Sequence, residues 1–438
     1  MDYNTIINDD CLHAMQGLED NSIDSIVTDP PYGLSFMGKD WDHGIPGVVF
    51  WQEALRIAKP GCHLLAFGGT RTFHRLAVAI EDAGWEIRDT VMWVYGAGFP
   101  KSLDVSKAID KMAGAKREVV GKHPNIATIT NTGRYNWNTE NQKRMESVDI
   151  TVPATDEAKQ WNGWGTALKP AWEPVIVARK PLEGTVANNV LKWGTGALNI
   201  DGCRVPLNGD KPYSYPNGSG GSHGPVPIRI HYDNPVYGNP QGRFPANLIH
   251  DGSDEVEAVF PMTKSGKASE YNFSESNNDN PSHFIKNIKS GVHFGDSGSA
   301  SRFFYCAKAS KRERNAGCEE LEEKKRDESR NAKQPSMNGG VGNPYNRGAK
   351  PVVNHHPTVK PVALMRYLVR LVTPPDGVVL DPFCGSGSTL VGALQEGFRY
   401  IGIEKDPDYV NIAYARTKHA LKEWGRESRQ QVLQEVVS

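Results

Sequence analysis

The chain predicts an α/β protein built on a doubly wound, mostly parallel sheet, and three stretches carry that expectation. The first is Gly377-Val-Val-Leu-Asp381-Pro-Phe383-Cys-Gly385-Ser-Gly387-Ser-Thr389, followed by Tyr400-Ile-Gly-Ile-Glu404. It reads as a buried strand, a glycine turn, a helix and a second strand ending in an acid. The second is the half-apolar run Ile23 to Val27, which stops at Asp29-Pro30-Pro31-Tyr32. The third is His63-Leu-Leu-Ala-Phe67-Gly68-Gly69 with a helical pattern from Arg71 to Asp82, so that strand and helix alternate as a wound sheet requires. Trp85 to Trp93 alternates like a further strand. Pro174 to Ala178 reads as another that would complete the sheet on the side of Asp29.

The chemistry sits where these runs end. In Asp29-Pro30-Pro31-Tyr32 the prolines fix φ and remove two backbone donors, so the strand cannot continue and its carbonyls and carboxylate can face a ligand. Such a mouth suits an amino group. An exocyclic nucleobase amine is a poor nucleophile because its lone pair is delocalised into the ring. The Asp29 carboxylate and the Pro30 carbonyl could hold its hydrogens and localise that pair, with Tyr32 stacked on the base. The plainer reading is a proline turn closing an ordinary strand.

In the second stretch Gly385 and Gly387 let the backbone approach a cofactor, and Glu404 is placed to accept hydrogen bonds from both ribose hydroxyls. Glycines needed only for their φ would look the same. Leu390 replaces the third glycine of a dinucleotide turn and no Lys follows Gly387, which argues against pyrophosphate as the ligand.

With both motifs on one chain, the sequence resembles amino-methyltransferases that use S-adenosylmethionine and act on DNA bases. A third match, His356-Pro357-Thr358-Val359-Lys360-Pro361, precedes the glycine-turn strand and is similar to that family's remaining cofactor motif. The order, catalytic tetrad first and glycine turn last, resembles the circularly permuted beta class. The resemblance implies a Rossmann-like methyltransferase fold in three parts. Residues 1–184 would be the catalytic half with an insertion at 97–172, 185–349 an irregular target-recognition region, and 350–438 the cofactor-binding half.

It also implies roles. Asp29, Pro30, Pro31 and Tyr32 would be catalytic, while Asp10, Thr358, Lys360, Asp381, Phe383, Gly385, Gly387 and Glu404 would bind S-adenosylmethionine. Asp10 would contact the cofactor's adenine, Phe383 would pack on its ring or methionine arm, and Thr5 to Cys11 would be a strand reaching the same crevice. Asp9 and Asp10 could equally cap the helix from Cys11 to Leu18, and Thr358 could be an N-cap with Pro361 in the first turn. Asp at the head of the tetrad leans toward adenine N6, with cytosine N4 as the alternative. A catalytically silent DNA-binding regulator would show a broken tetrad or turn, and both are intact here. The expected partners are double-stranded DNA, a homodimer mate and a cognate restriction endonuclease.

Composition narrows the remaining classes. The 438 residues carry a formal net charge of −1, so attraction to DNA must come from local patches. One such patch is Arg302-Phe303-Phe304-Tyr305 leading to Lys308, Lys311 and Arg312, where basic side chains beside aromatics suit phosphate contacts and base-step wedging. A solvated charged face over core aromatics is the alternative. The insertion 97–172 contains one expected helix, Leu103 to Met112, then a polar stretch with Trp137, Trp161 and Trp164. The polar run from Ser265 to Ser299 suits a recognition loop or a linker. Six cysteines at no ligand spacing imply free thiols, and the histidines lack partners for a metal site. No apolar run reaches the roughly 18 residues of a membrane span, and a cytoplasmic protein is expected.

Overall fold

The computed structural model describes residues 2–34, 44–98, 100, 102–122, 149–208, 214–215, 236–237, 239–264, 297–308, 310–324 and 352–437. Trp137 and residues 265–296 of the predicted recognition loop lie outside the described residues. The chain divides into a larger unit, Met1–Gly96, Trp172–Ser329 and Pro351–Ser438, and a smaller one, Ala97–Ala171 with Arg330–Lys350.

The larger unit is built on a nine-stranded sheet. Its strands are β1 (Thr5–Asn8), β2 (Ile23–Thr28), β3 (Ala58–Phe67), β4 (Glu86–Val94), β5 (Trp172–Arg179), β6 (Leu248–His250), β7 (Tyr305–Cys306), β8 (Val378–Asp381) and β9 (Arg399–Glu404). They lie in the order β1-β9-β8-β2-β3-β5-β4-β6-β7. Every pairing is parallel except those of β5, which runs antiparallel to both β3 and β4. The expected α/β, doubly wound, mostly parallel architecture is therefore present, with its first and last segments interleaved.

β2 is buried along its whole length because both faces are covered. On one face Ile26, Leu64 and Ile176 pack with residues of α1 (Cys11–Gln16), α2 (Val48–Ile57) and α3 (Phe73–Asp82). On the other, Val27, Leu65 and Val177 pack with helices from the end of the chain. Each fully buried Leu or Ile contributes about 1.5–3 kcal/mol, so these two cores hold the strand ends in place. In α2, Phe50, Trp51, Ala54 and Ile57 form the buried stripe, a helix the strand-led sequence reading does not predict.

One expectation is corrected. Pro174 to Ala178 does not complete the sheet at a border; its strand is interior, between β3 and β4. Parts of the 185–349 region join the sheet. Within it β6 pairs with β4 and β7 pairs with β6, and Asn189 of α4 (Val186–Trp193) donates to the Pro60 carbonyl of β3. Strands of three and two residues are too short to carry a readable period.

Besides the single turn Asp254–Glu257, further helices of this unit are α5 (Lys311–Asn315), α6 (Val362–Val372), α7 (Ser388–Gln395) and α8 (Pro407–Val437). The last three cover the second face. Val362, Met365, Leu368 and Val369 of α6 and Leu390, Val391 and Leu394 of α7 are buried there.

In the smaller unit, the expected helix runs Val105–Met112 and a hairpin pairs Glu118–Lys122 with Asp149–Val152. Its centre is Asp110, 1 % exposed. That carboxylate accepts from the Ala154 and Thr155 amides at 3.0 Å, the Thr155 hydroxyl at 2.9 Å and Arg117 at 2.7 Å. Burial alone would raise its pKa, but these donors together hold it at about 2. Trp161 and Trp164 meet edge to face with centroids 5.0 Å apart.

Candidate active site

The two sequence motifs meet because β2 and β8 are neighbours, with Ile26 paired to Leu380. At their carboxyl ends the Thr28 hydroxyl donates to Asp381 Oδ1 at 2.7 Å, across 353 positions of sequence. Asp381 is only 2 % exposed and also accepts the Phe383 amide at 3.1 Å. Burial pushes its carboxyl up to about 7, against hydrogen bonds from Thr389, Thr28 and the Phe383 amide that favour the charged form. Asp381 therefore lies beneath the turn and shapes it.

Above it the chain bends at Gly385, φ +49°, and Gly387, φ +75°, which precedes α7. A Cβ on Gly385 would lie 2.6 Å from His356 Nε2, so glycine is required there by space as well as by φ. The Gly385 amide donates to Glu404 Oε2 at 2.9 Å, and the Asp406 amide donates to Oε1 at 2.8 Å. Burial raises the Glu404 pKa while those amides oppose it. Phe383, half-buried, packs on Phe50 with centroids 4.9 Å apart. His356 is kept neutral, its pKa lowered to about 3 by burial and by Arg314 and Arg416.

Asp10 follows β1, which pairs with β9 at Asn8 and Glu404. It is the N-cap of α1, accepting the Leu12 amide at 3.1 Å, and it pairs with Lys405 at 3.2 Å. Thr358 is exposed and is not an N-cap, which corrects that alternative. The cap position of α6 is Pro361, which has no capping side chain, and the first helical amide, of Val362, donates instead to Glu313.

The other lip of the site is a polar knot. Lys360 Nζ lies 3.0 Å from Asp29 Oδ2, 2.9 Å from Glu173 Oε2 and 3.0 Å from the Tyr32 hydroxyl. An ammonium has three hydrogens, and these partners account for all of them. Lys360, expected at the cofactor, thus forms ion pairs at the proline-bounded mouth. The Tyr32 hydroxyl in turn donates to Asp29 Oδ1 at 2.7 Å, with Glu173 Oε2 at 3.2 Å. Pro30 is buried and Pro31 half-buried beside them. The Thr72 hydroxyl holds the Tyr32 carbonyl at 2.7 Å.

Burial raises the Asp29 pKa, Lys360 opposes the rise and Glu173 adds to it. Burial would lower the Lys360 pKa, but Asp29 and Glu173 carry it upward overall. Burial, then Asp29 and Glu173, raise the Tyr32 pKa, so its hydroxyl stays protonated.

Glu173 is the residue that sequence reasoning missed, with Tyr95, whose hydroxyl lies 3.4 Å from Glu173 Oε1. It reaches the site because β5 is reversed. The start of β5 therefore lies at the edge where β2, β3 and β4 end. The available signal was one acid at the entrance to a strand whose next five residues are apolar.

The basic patch is only partly exposed. Arg302 is half-buried, and one guanidinium nitrogen donates to Thr263 Oγ1 at 2.9 Å and to the Gly298 and Ser299 carbonyls at 2.7 Å. Tyr305, half-buried, stacks on Tyr367 at 4.0 Å and packs against the core. Lys308 and Arg312 are exposed, while the Lys311 side chain lies outside what is described. Among the described residues no group of three or more His, Cys, Asp or Glu is disposed to hold a metal, and no helix is long and apolar enough to cross a membrane.

The profile of the N6/N4 DNA methylase family matches residues 23–415, and the chain belongs to that family. It is similar to the type II methyltransferase M.HindIII of Haemophilus influenzae, 45% identical over 241 residues, covering 44% of this chain and 64% of that protein. It also resembles the type II methyltransferase M.XycI of Xanthomonas campestris pv. cyanopsidis, 38% identical over 88 residues, 19% of this chain and 29% of that one. The match thus spans less than two thirds of either curated relative. Among solved structures, the PvuII DNA methyltransferase (cytosine-N4-specific) aligns with 97% of this chain and 93% of its own at 13% identity, TM-score 0.39.

Proposed function

We propose that this protein transfers a methyl group from S-adenosylmethionine to the exocyclic amine of a base flipped out of double-stranded DNA, and that the base is adenine, methylated at N6. The observation that carries the reading is the Thr28–Asp381 hydrogen bond, which ties the proline-bounded mouth to the glycine bend at one sheet edge. The residues of the bend fit the cofactor. Gly385 and Gly387 leave backbone bare of side chains, Phe383 offers a ring, and Glu404, anchored by two amides, has lone pairs left for ribose hydroxyls.

When bound, the cofactor supplies an electrophilic sulfonium methyl. The chain does the rest by positioning. A base within the duplex cannot line up with a buried donor, so it must leave the stack. Asp29 and the Pro30 carbonyl then accept the hydrogens of the amine and oppose the positive charge developing on nitrogen, while Tyr32 provides a face for the ring. Neither a covalent enzyme intermediate nor a metal is required for this transfer. Lys308 and Arg312 remain the basic side chains of the patch that can meet phosphate.

The test is to incubate the protein with methyl-tritiated cofactor and duplex DNA and digest the product to nucleosides. Label in N6-methyldeoxyadenosine is the expected result. Label in N4-methyldeoxycytidine would correct the base, and unlabelled DNA across varied duplexes would overturn the activity.

A further inference from the structure

Asp29, Lys360, Glu173 and Tyr32 form a closed set of contacts from three places in the chain. One ammonium stands between two carboxylates at 3.0 Å and 2.9 Å, and one phenol bridges all three groups. Nothing in the fold requires this cluster. β5 would pair equally well with an apolar residue at position 173, and burying charge is costly unless it is matched. The side chains of Lys360, Asp29 and Glu173 are 11%, 18% and 22% exposed, so their mutual fields are weakly screened.

The amine of an incoming base would compete with Lys360 and Tyr32 for Asp29. With Glu173 absent, Lys360 would have no second carboxylate and would stay on Asp29. With Lys360 absent, two carboxylates would face each other, and one would take up a proton. Glu173 therefore gives the ammonium a place to rest while Asp29 turns its oxygens to the base.

We propose that Lys360 and Glu173 are positioning residues that hold Asp29 as an ionised, correctly aimed acceptor and release it to the target amine. The proposal rests on the methyl-transfer reading above. The groups facing Asp29 are Lys360 ahead of α6, Glu173 of β5, Tyr32 on its own segment and Asp381 of β8, with Tyr95 behind Glu173. Their signs predict opposite effects. Removing the Lys360 cation removes what stabilises the carboxylate, and removing the Glu173 anion removes what destabilises it.

The experiment measures single-turnover methylation against pH for wild type, Lys360→Met and Glu173→Gln, with cofactor affinity measured alongside by calorimetry. Transfer needs ionised Asp29, so each profile falls on its acid side. The acid limb of Lys360→Met should move to higher pH by about one unit or more, and that of Glu173→Gln should move to lower pH. Cofactor affinity should be unchanged in Glu173→Gln, and Lys360→Arg should recover much of the wild-type profile. Limbs that stay put in both variants, or move in the same direction, would overturn the proposal. If Lys360→Met does not fold, the near-isosteric Glu173→Gln decides alone, and an acid limb that fails to move down refutes it. A wild-type protein that methylates no DNA would instead refute the activity itself.

Discussion

The glycine bend and the proline-bounded mouth stand at adjacent strand ends yet are held by different means. At the bend the chain fixes itself through backbone. Gly385 donates to Glu404, the Gly387 amide bonds to the Cys384 carbonyl at 2.7 Å, and the Phe383 amide bonds to buried Asp381. At the mouth Asp29, Tyr32, Lys360 and Glu173 are held mostly by one another's side chains. A cradle made of backbone has one shape, which suits a ligand common to every turnover. A knot of charged side chains can exchange partners, which suits a site that must admit a base and let it go.

The difference is open to attack by substitution. The largest effect is expected at Asp29. Asp29→Ala should lower the rate of transfer at least 10²–10³-fold, the scale of losing an acceptor aimed at developing charge, while cofactor binding by calorimetry stays near wild type. Retained activity would remove the chemistry from the mouth. Next comes Gly385→Val, whose Cβ would be driven against His356 at a φ of +49°. Cofactor affinity should fall by tenfold or more, the consequence of a strain of about 1–3 kcal/mol. Equal loss of affinity in both variants would erase the contrast between the two regions.

The smallest effect is expected at Asp10, which pairs with Lys405 next to Glu404 and caps α1. Asp10→Ala should cost about 1 kcal/mol of stability in a denaturant titration, the usual value of a lost helix cap, and Asp10→Asn should restore it. If Asp10→Asn preserves stability but weakens cofactor binding, the residue also belongs to the cradle.

The contrast explains what could be read from the sequence. The bend was legible because each of its requirements is local. A buried strand, glycines at positive φ and an acid ending the next strand all lie within one short segment. Asp29 and its prolines were legible for the same reason. Glu173 was not, because its place depends on the reversal of β5, which periodicity does not report. The surroundings of Arg302 were hidden for a related reason. Its charge suggests a surface, while one guanidinium nitrogen bonds carbonyls of the neighbouring turn. The carboxylate partners of Lys360 were hidden as well, since spacing reveals that a lysine begins a segment and not which carboxylate it will meet.

The claim on which the rest depends is that mouth and bend serve one reaction centre. A crystal structure of the protein with an unreactive cofactor analogue and a short duplex tests it most directly. The account predicts the analogue's ribose against Glu404 and an extrahelical adenine at Asp29, its N6 about 3–3.5 Å from the position of the transferred methyl. An analogue bound away from Gly385, or an extrahelical base held away from Asp29, would contradict it.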